Sequence, residues 1–185
     1  MLKTLSLLGF LAMAVATSFA QVRELPEGKL SFTTPKAPFE FVLNAKGYLL
    51  MKQQLAPDGS RGYFHMTNDL VNVSFWIEPV DKCKTSKECR DMILKAGNPL
   101  WGEYQNLLLS EIGDISFFEF FRPTAMNTKV DMLDMYAEFV RDGVWIDLHM
   151  SKLLYTKKDH AIFEDMVKSA QFVTKKGANT ALATD

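Results

Sequence analysis

The sequence predicts an α+β fold: an antiparallel β-sheet of about six strands sandwiched between helices. Three observations carry that expectation. Strand-like runs follow one another with only turns between them, so they pair antiparallel rather than through helical crossovers. Only two stretches, one around Met92 and one around Phe163, have helical periodicity. One run, Ile115 to Arg122, is apolar on both of its faces, with Phe117, Phe118, Phe120 and Phe121, and so needs cover on both sides.

The chain divides into residues 1–20, a signal peptide; 21–38, an extended lead-in; 39–174, a single α+β domain; and 175–185, a flexible tail. Lys3 supplies a positive start, Leu5 to Val15 an apolar run, and Ser18-Phe19-Ala20 the small residues before cleavage at Gln21. The apolar run is short for a membrane anchor, and no Cys lies near the cleavage site to carry a lipid. The expected product is exported, to the periplasm or beyond, with no stable membrane insertion. Lys and Arg number 21 against 22 Asp and Glu, so the overall field favours neither nucleic acid nor an anionic membrane.

The lead-in is rich in Pro, Gly and charge. Phe39 to Leu43 reads as the first strand, Asn44 to Gly47 as a turn, and Tyr48 to Met51 as the start of the second strand. Pro57 to Ser60 has turn chemistry, and Gly62 to Met66 is a short strand. Val71, Val73, Phe75 and Ile77 alternate with Asn72, Ser74, Trp76 and Glu78, the pattern of a half-buried strand, ending at Pro79.

Cys83 and Cys89 are the only cysteines, and in an oxidising compartment they are expected to form a disulfide. Thr85-Ser86-Lys87-Glu88 between them is a capping box, so a helix starts here, continues through Met92, Ile93 and Ala96, and stops at Gly97. The spacing is not Cys-x-x-Cys, which favours a structural over a redox-active bridge. Tyr104 to Ile112 is a strand, Gly113-Asp114 a turn, the Phe-rich run a central strand, and Pro123 to Lys129 a loop.

Asp142-Gly143 is the strongest hairpin signal, because a type I′ turn needs positive φ at both central residues. That turn fixes a register: Glu138 opposes Asp147, and Tyr136 opposes His149. Met135, Ala137, Phe139, Ile146, Leu148 and Met150 share one face and form core. Tyr136, Glu138, Val140, Trp145, Asp147 and His149 share the other. Thr156 and Asp159 then cap a last helix, whose stripe is Ile162, Phe163, Met166, Val167 and Ala170.

The last hairpin, Phe139-Val140-Arg141-Asp142-Gly143-Val144-Trp145, and the closing helix with Phe163, Met166, Ser169 and Phe172 resemble the Mog/PsbP-like superfamily. It includes DcrB-like bacterial envelope proteins, a Ran-binding nuclear import factor and an extrinsic photosystem II subunit. The resemblance implies an antiparallel sheet between helices and a non-enzymatic binding or accessory role. It implies no catalytic residues, since no family-wide motif exists to carry over.

The residues themselves contain no Gly-rich phosphate loop, no nucleophile elbow and no His-Glu-x-x-His. The candidate ligand or partner site is therefore the mixed hairpin face, Tyr136, Glu138, Trp145, Asp147 and His149. Glu138 and Asp147 in opposition destabilise a sheet unless something neutralises them. A Lys or Arg from elsewhere is the plainer answer. A divalent metal held by Glu138, Asp147 and His149 is a second, and an acid/base site using Tyr136 as well is a third. The preferred expectation is an exported accessory protein that docks a protein partner or small ligand on its sheet face or rim. A metal-dependent or acid/base enzyme is the alternative.

Overall fold

The computed structural model describes residues 21–97 and 105–175. The signal segment, Tyr104 at the start of its expected strand, and the tail beyond Lys175 lie outside the described residues. Among the described residues, eleven strands form two antiparallel sheets. The smaller has the order β1-β2-β3-β11, from Gln21–Leu25, Lys29–Thr33, Phe39–Asn44 and Gln171–Thr174. The larger has the order β4-β5-β6-β10-β9-β8-β7. Its strands are Leu49–Leu55, Gly62–Asn68, Val71–Pro79, Gln105–Ile112, Ile115–Ala125, Thr128–Arg141 and Val144–Lys152, in chain order β4 to β10.

The large sheet thus has seven strands rather than about six, and helices do not sandwich it. One face packs on the four-stranded sheet and on α2 (His160–Lys168); the other carries α1 (Ser86–Ala96). Alternation of apolar side chains locates both faces of a strand but not what covers them, so a second sheet and a helix give the same pattern. Phe117 faces the main core, while Phe118 and Phe120 turn to α1, where Ile93 and Leu94 meet them.

The two sheets meet through rings. Phe32 packs edge-on against Phe75 at 4.8 Å and Phe64 at 5.2 Å, and Phe41 against Phe139 at 5.4 Å. Phe32 is fully buried and lies within the extended lead-in, which is extended as two paired strands and supplies core. Gly28, at φ 76°, turns β1 into β2 with its α-carbon against Lys46, where a Cβ would lie 2.6 Å from that side chain.

The Asp142-Gly143 turn forms with φ 48° and 73°, and its hairpin has the expected register throughout, Leu133↔Lys152 to Arg141↔Val144. The hairpin before it is tighter than expected. β8 runs to Ala125 and β9 starts at Thr128, so Met126-Asn127, both at positive φ, replace a seven-residue loop. Of the expected helical stripe, Phe163, Met166 and Val167 are buried, whereas Ile162 is exposed and Ala170 lies beyond the helix end, half-buried. Directly after α2 the chain adds β11 to β3, an element too short and polar for its pattern to stand out.

Cys83 and Cys89 are disulfide-bonded. Thr85 caps α1, its hydroxyl accepting from the Glu88 N–H at 3.2 Å, and the Glu88 carboxylate accepts from the Lys84 N–H. Among the described residues, no helix is long and apolar enough to cross a membrane.

Candidate functional site

The outer face of the large sheet is laid out in rows by strand register. One row reads Ser116, Glu138, Asp147, Trp76, Tyr63 and Gln54 across β8, β9, β10, β6, β5 and β4. The neighbouring row reads Phe118, Tyr136, His149, Ser74 and His65. Tyr136, Glu138, Trp145, Asp147 and His149 therefore do share one face, as the alternation requires.

They adjoin one another along that face rather than converging on one point. Glu138 is 0% exposed and accepts from Trp145 Nε1 at 2.7 Å. Trp145 is itself buried against Cys83 and Cys89, with Met92 and Ile93 of α1 alongside. Tyr136 lies between Phe118 and His149 in a stack of rings, 4.9 Å and 4.3 Å apart at their centroids. His149 Nε2 is 3.0 Å from Asp134 Oδ1, so that nitrogen is engaged with Asp134. Among the described residues, no three His, Cys, Asp or Glu side chains converge as a metal-ligand set, so Glu138, Asp147 and His149 are not arranged as one.

Asp134 is the residue missed by the sequence reading. It is 0% exposed, and Arg122 Nη2 reaches both of its carboxylate oxygens at 2.7 Å. The signal was present: Asp134 precedes Tyr136 and Glu138 at the same two-residue period. Its partners come from diagonal positions on β8 and β10, which only the assembled register reveals.

The expected cation between Glu138 and Asp147 is absent among the described residues. Glu138 Oε1 and Asp147 Oδ1 are out of solvent and have no hydrogen-bond partner. Burial, and then the Asp147 charge, push the Glu138 carboxyl well above its ordinary range, against the opposing pull of Trp145. Burial also pushes Asp147 up to about 6, with His149 lowering and Glu78 raising it. Glu78 is raised by burial as well, with Arg61 at 3.4 Å as its counter-charge.

Beyond this buried strip the face opens. α1 packs mainly on β8 and β9, and exposed side chains stand on β6 and β4. There Trp76 is 42% exposed and sits 5.0 Å from the Tyr63 ring, with Lys52 Nζ 5.9 Å above Tyr63.

No family model and no curated protein matches this chain. A solved structure does: the solution structure of cyanobacterial PsbP (CyanoP) from Synechocystis sp. PCC 6803. It superposes with a TM-score of 0.51 at 13% identity, over 78% of this chain and 92% of that one. This chain has a PsbP-like fold. The PsbP-like resemblance expected from the last hairpin and closing helix thus holds for the architecture. At this identity it assigns no partner, ligand or chemistry to the outer face.

Proposed function

We propose that this PsbP-like chain is an exported, non-enzymatic accessory protein that docks a protein partner on the open part of its outer sheet face. The observation that carries the reading is the shelf of exposed Trp76 and half-buried Tyr63 with Lys52 above it. Exposed aromatic pairs beside a cation are common anchors in protein interfaces. The buried half of the same face supports the shelf, because Trp76 stands directly opposite Asp147 across β6 and β10. The rim offers a second set of contacts. Leu49, Leu50 and Met51 on edge strand β4, and Leu107, Leu108 and Leu109 on edge strand β7, are exposed. The disulfide and the expected signal segment support export.

The alternative, an enzyme using Tyr136, Glu138, Asp147 and His149, has less to support it. Glu138 is closed to substrate, and His149 is engaged with Asp134. The docking reading is tested by placing a photo-crosslinking residue at Trp76, Tyr63 or Leu108 in the full chain, within its native envelope. A control at Lys95, on the exposed side of α1, reports background. An adduct of one defined mass from position 76 or 63, absent from position 95, is expected and should disappear in a Tyr63→Ala or Trp76→Ala background probed from the other position. Equal labelling from position 95, or no adduct from any of the three positions, overturns it.

A further inference from the structure

The two orphaned oxygens of the outer face belong to directly opposed residues. Glu138 Oε1 and Asp147 Oδ1 are both buried and without a partner, and Glu138 pairs with Asp147 across β9 and β10. Cross-strand partners have Cβ atoms about 5 Å apart, which makes the two carboxyls neighbours, and the Asp147 charge acts on Glu138. Two ionised carboxylates are acceptors only, whereas one proton makes one of them a donor and satisfies both.

Among the described residues, His149 is the group that pulls Asp147 down, and no hydrogen-bond donor reaches Glu138 Oε1 or Asp147 Oδ1. On β10, His149 is turned to Asp134, and on β8 Arg122 holds that same Asp134 while Ser116 stands opposite Glu138. On β6, Glu78 adds a further carboxyl, with Arg61 at 3.4 Å and Asp81 and Lys82 beyond it. On α1, Arg90 is engaged with Asp91 at 2.9 Å and Glu111 at 3.5 Å. On β9, the flanking titratable groups are Tyr136 and Asp134, the first in its ring stack and the second in its ion pair.

We propose that Glu138 and Asp147 share a single proton between Glu138 Oε1 and Asp147 Oδ1, and that this pair is a pH-sensitive seat for α1 and its disulfide. On alkalinisation the shared O–H bond breaks and the proton passes to hydroxide, forming water. Two charges then face each other in a buried strip. The disturbance reaches α1 by two contacts. Glu138 Oε2 accepts from Trp145 Nε1, and Trp145 packs on Cys83 and Cys89. Next to Glu138, the Val140 N–H donates to Ser86 Oγ in the first turn of α1, at 3.1 Å, where β8 no longer reaches to pair with it. Burial raises the proton affinity of both carboxyls, in agreement with the geometry.

Infrared spectroscopy of the whole folded protein tests the shared proton. The carbonyl stretch of a neutral carboxylic acid should persist above about pH 6, where exposed carboxyls are ionised, and should bleach on further alkalinisation. It should lose intensity in Glu138→Gln. Absence of that band from the wild type above about pH 6 overturns the proposal even if the variant does not fold. Amide exchange of α1, taken as the ratio of wild type to Glu138→Gln, cancels the intrinsic pH dependence of exchange. That ratio should be near one at about pH 5 and rise several-fold by about pH 8. A ratio that stays flat over this range overturns the link to α1.

Discussion

Trp145 is held by two kinds of contact at once: its ring packs on the disulfide, and its Nε1–H donates to Glu138. Trp145→Phe keeps an aromatic ring, smaller than the indole, and removes the donor. Leaving Glu138 Oε2 without it should cost about 1–3 kcal/mol, measured by urea unfolding. The bond favours the ionised carboxyl, so its loss should also move the titration of the Glu138–Asp147 pair to higher pH. Asp134 is the opposite case, a buried carboxylate with its cation in place. Arg122→Met strands that charge and should cost about 3–5 kcal/mol, most of it recovered when Asp134→Asn is added. Equal stabilities of the single and double variants would show that Asp134 does not depend on Arg122.

At the scale of elements, α1 and α2 are anchored differently. α2 sends Phe163, fully buried, with Met166 and Val167 into the main core. It is tied to β8 by His160 Nε2 on Glu119 at 2.9 Å, and to β3 by the Asn44 N–H donating to Ser169 Oγ at 3.0 Å. Phe163→Ala should cost about 3–5 kcal/mol and lower the global melting temperature. α1 instead rests on two small clusters, one of the disulfide, Trp145 and half-buried residues, the other of Phe118 and Phe120 under Ile93 and Leu94. Its cap and its bridge therefore matter more to it than core volume does. Thr85→Ala should cost about 1 kcal/mol, and reduction of the bridge, which closes a short loop, about 2 kcal/mol. Both should raise amide exchange in α1 before exchange rises in β9 or β10. The reverse order would show that α1 is seated by something other than these clusters.

For the whole molecule, opposite pKa shifts set a window of stability. Glu40 on β3 is lowered, first by its bond from Ser31 and then by Arg23. Its stabilisation is present above the unfolded value of 4.5 and is lost as pH falls through the folded one. Glu138 and Asp147 are raised, so their contribution is full below the unfolded values, 4.5 and 3.8, and fades as pH rises through about 6 and beyond. The melting temperature should therefore peak near about pH 5 and decline toward alkaline pH, and Glu138→Gln should flatten the alkaline limb. A wild-type curve that rises monotonically from about pH 5 to 8 would contradict this assignment of the two carboxyls.

What the sequence by itself determined is what a single element or a single turn encodes. Asp142-Gly143 set the β9–β10 register, because Asp followed by Gly readily accepts the two positive φ values that a type I′ turn needs. Thr85 and Glu88 set the start of α1, and the spacing of Phe163, Met166 and Val167 set the buried side of α2. The alternation also placed Tyr136, Glu138, Trp145, Asp147 and His149 on one face. The tertiary structure decided what covers each face. A strand pattern is the same under a helix, a second sheet or solvent, so the four-stranded sheet, the core role of Phe32 and the short β11 were not legible. Neither was the split of the candidate site. Whether Glu138 is sealed under Trp145, Asp134 ion-paired to Arg122, or Trp76 open to a partner depends on α1 resting mainly on β8 and β9, a matter of packing between segments far apart in the chain.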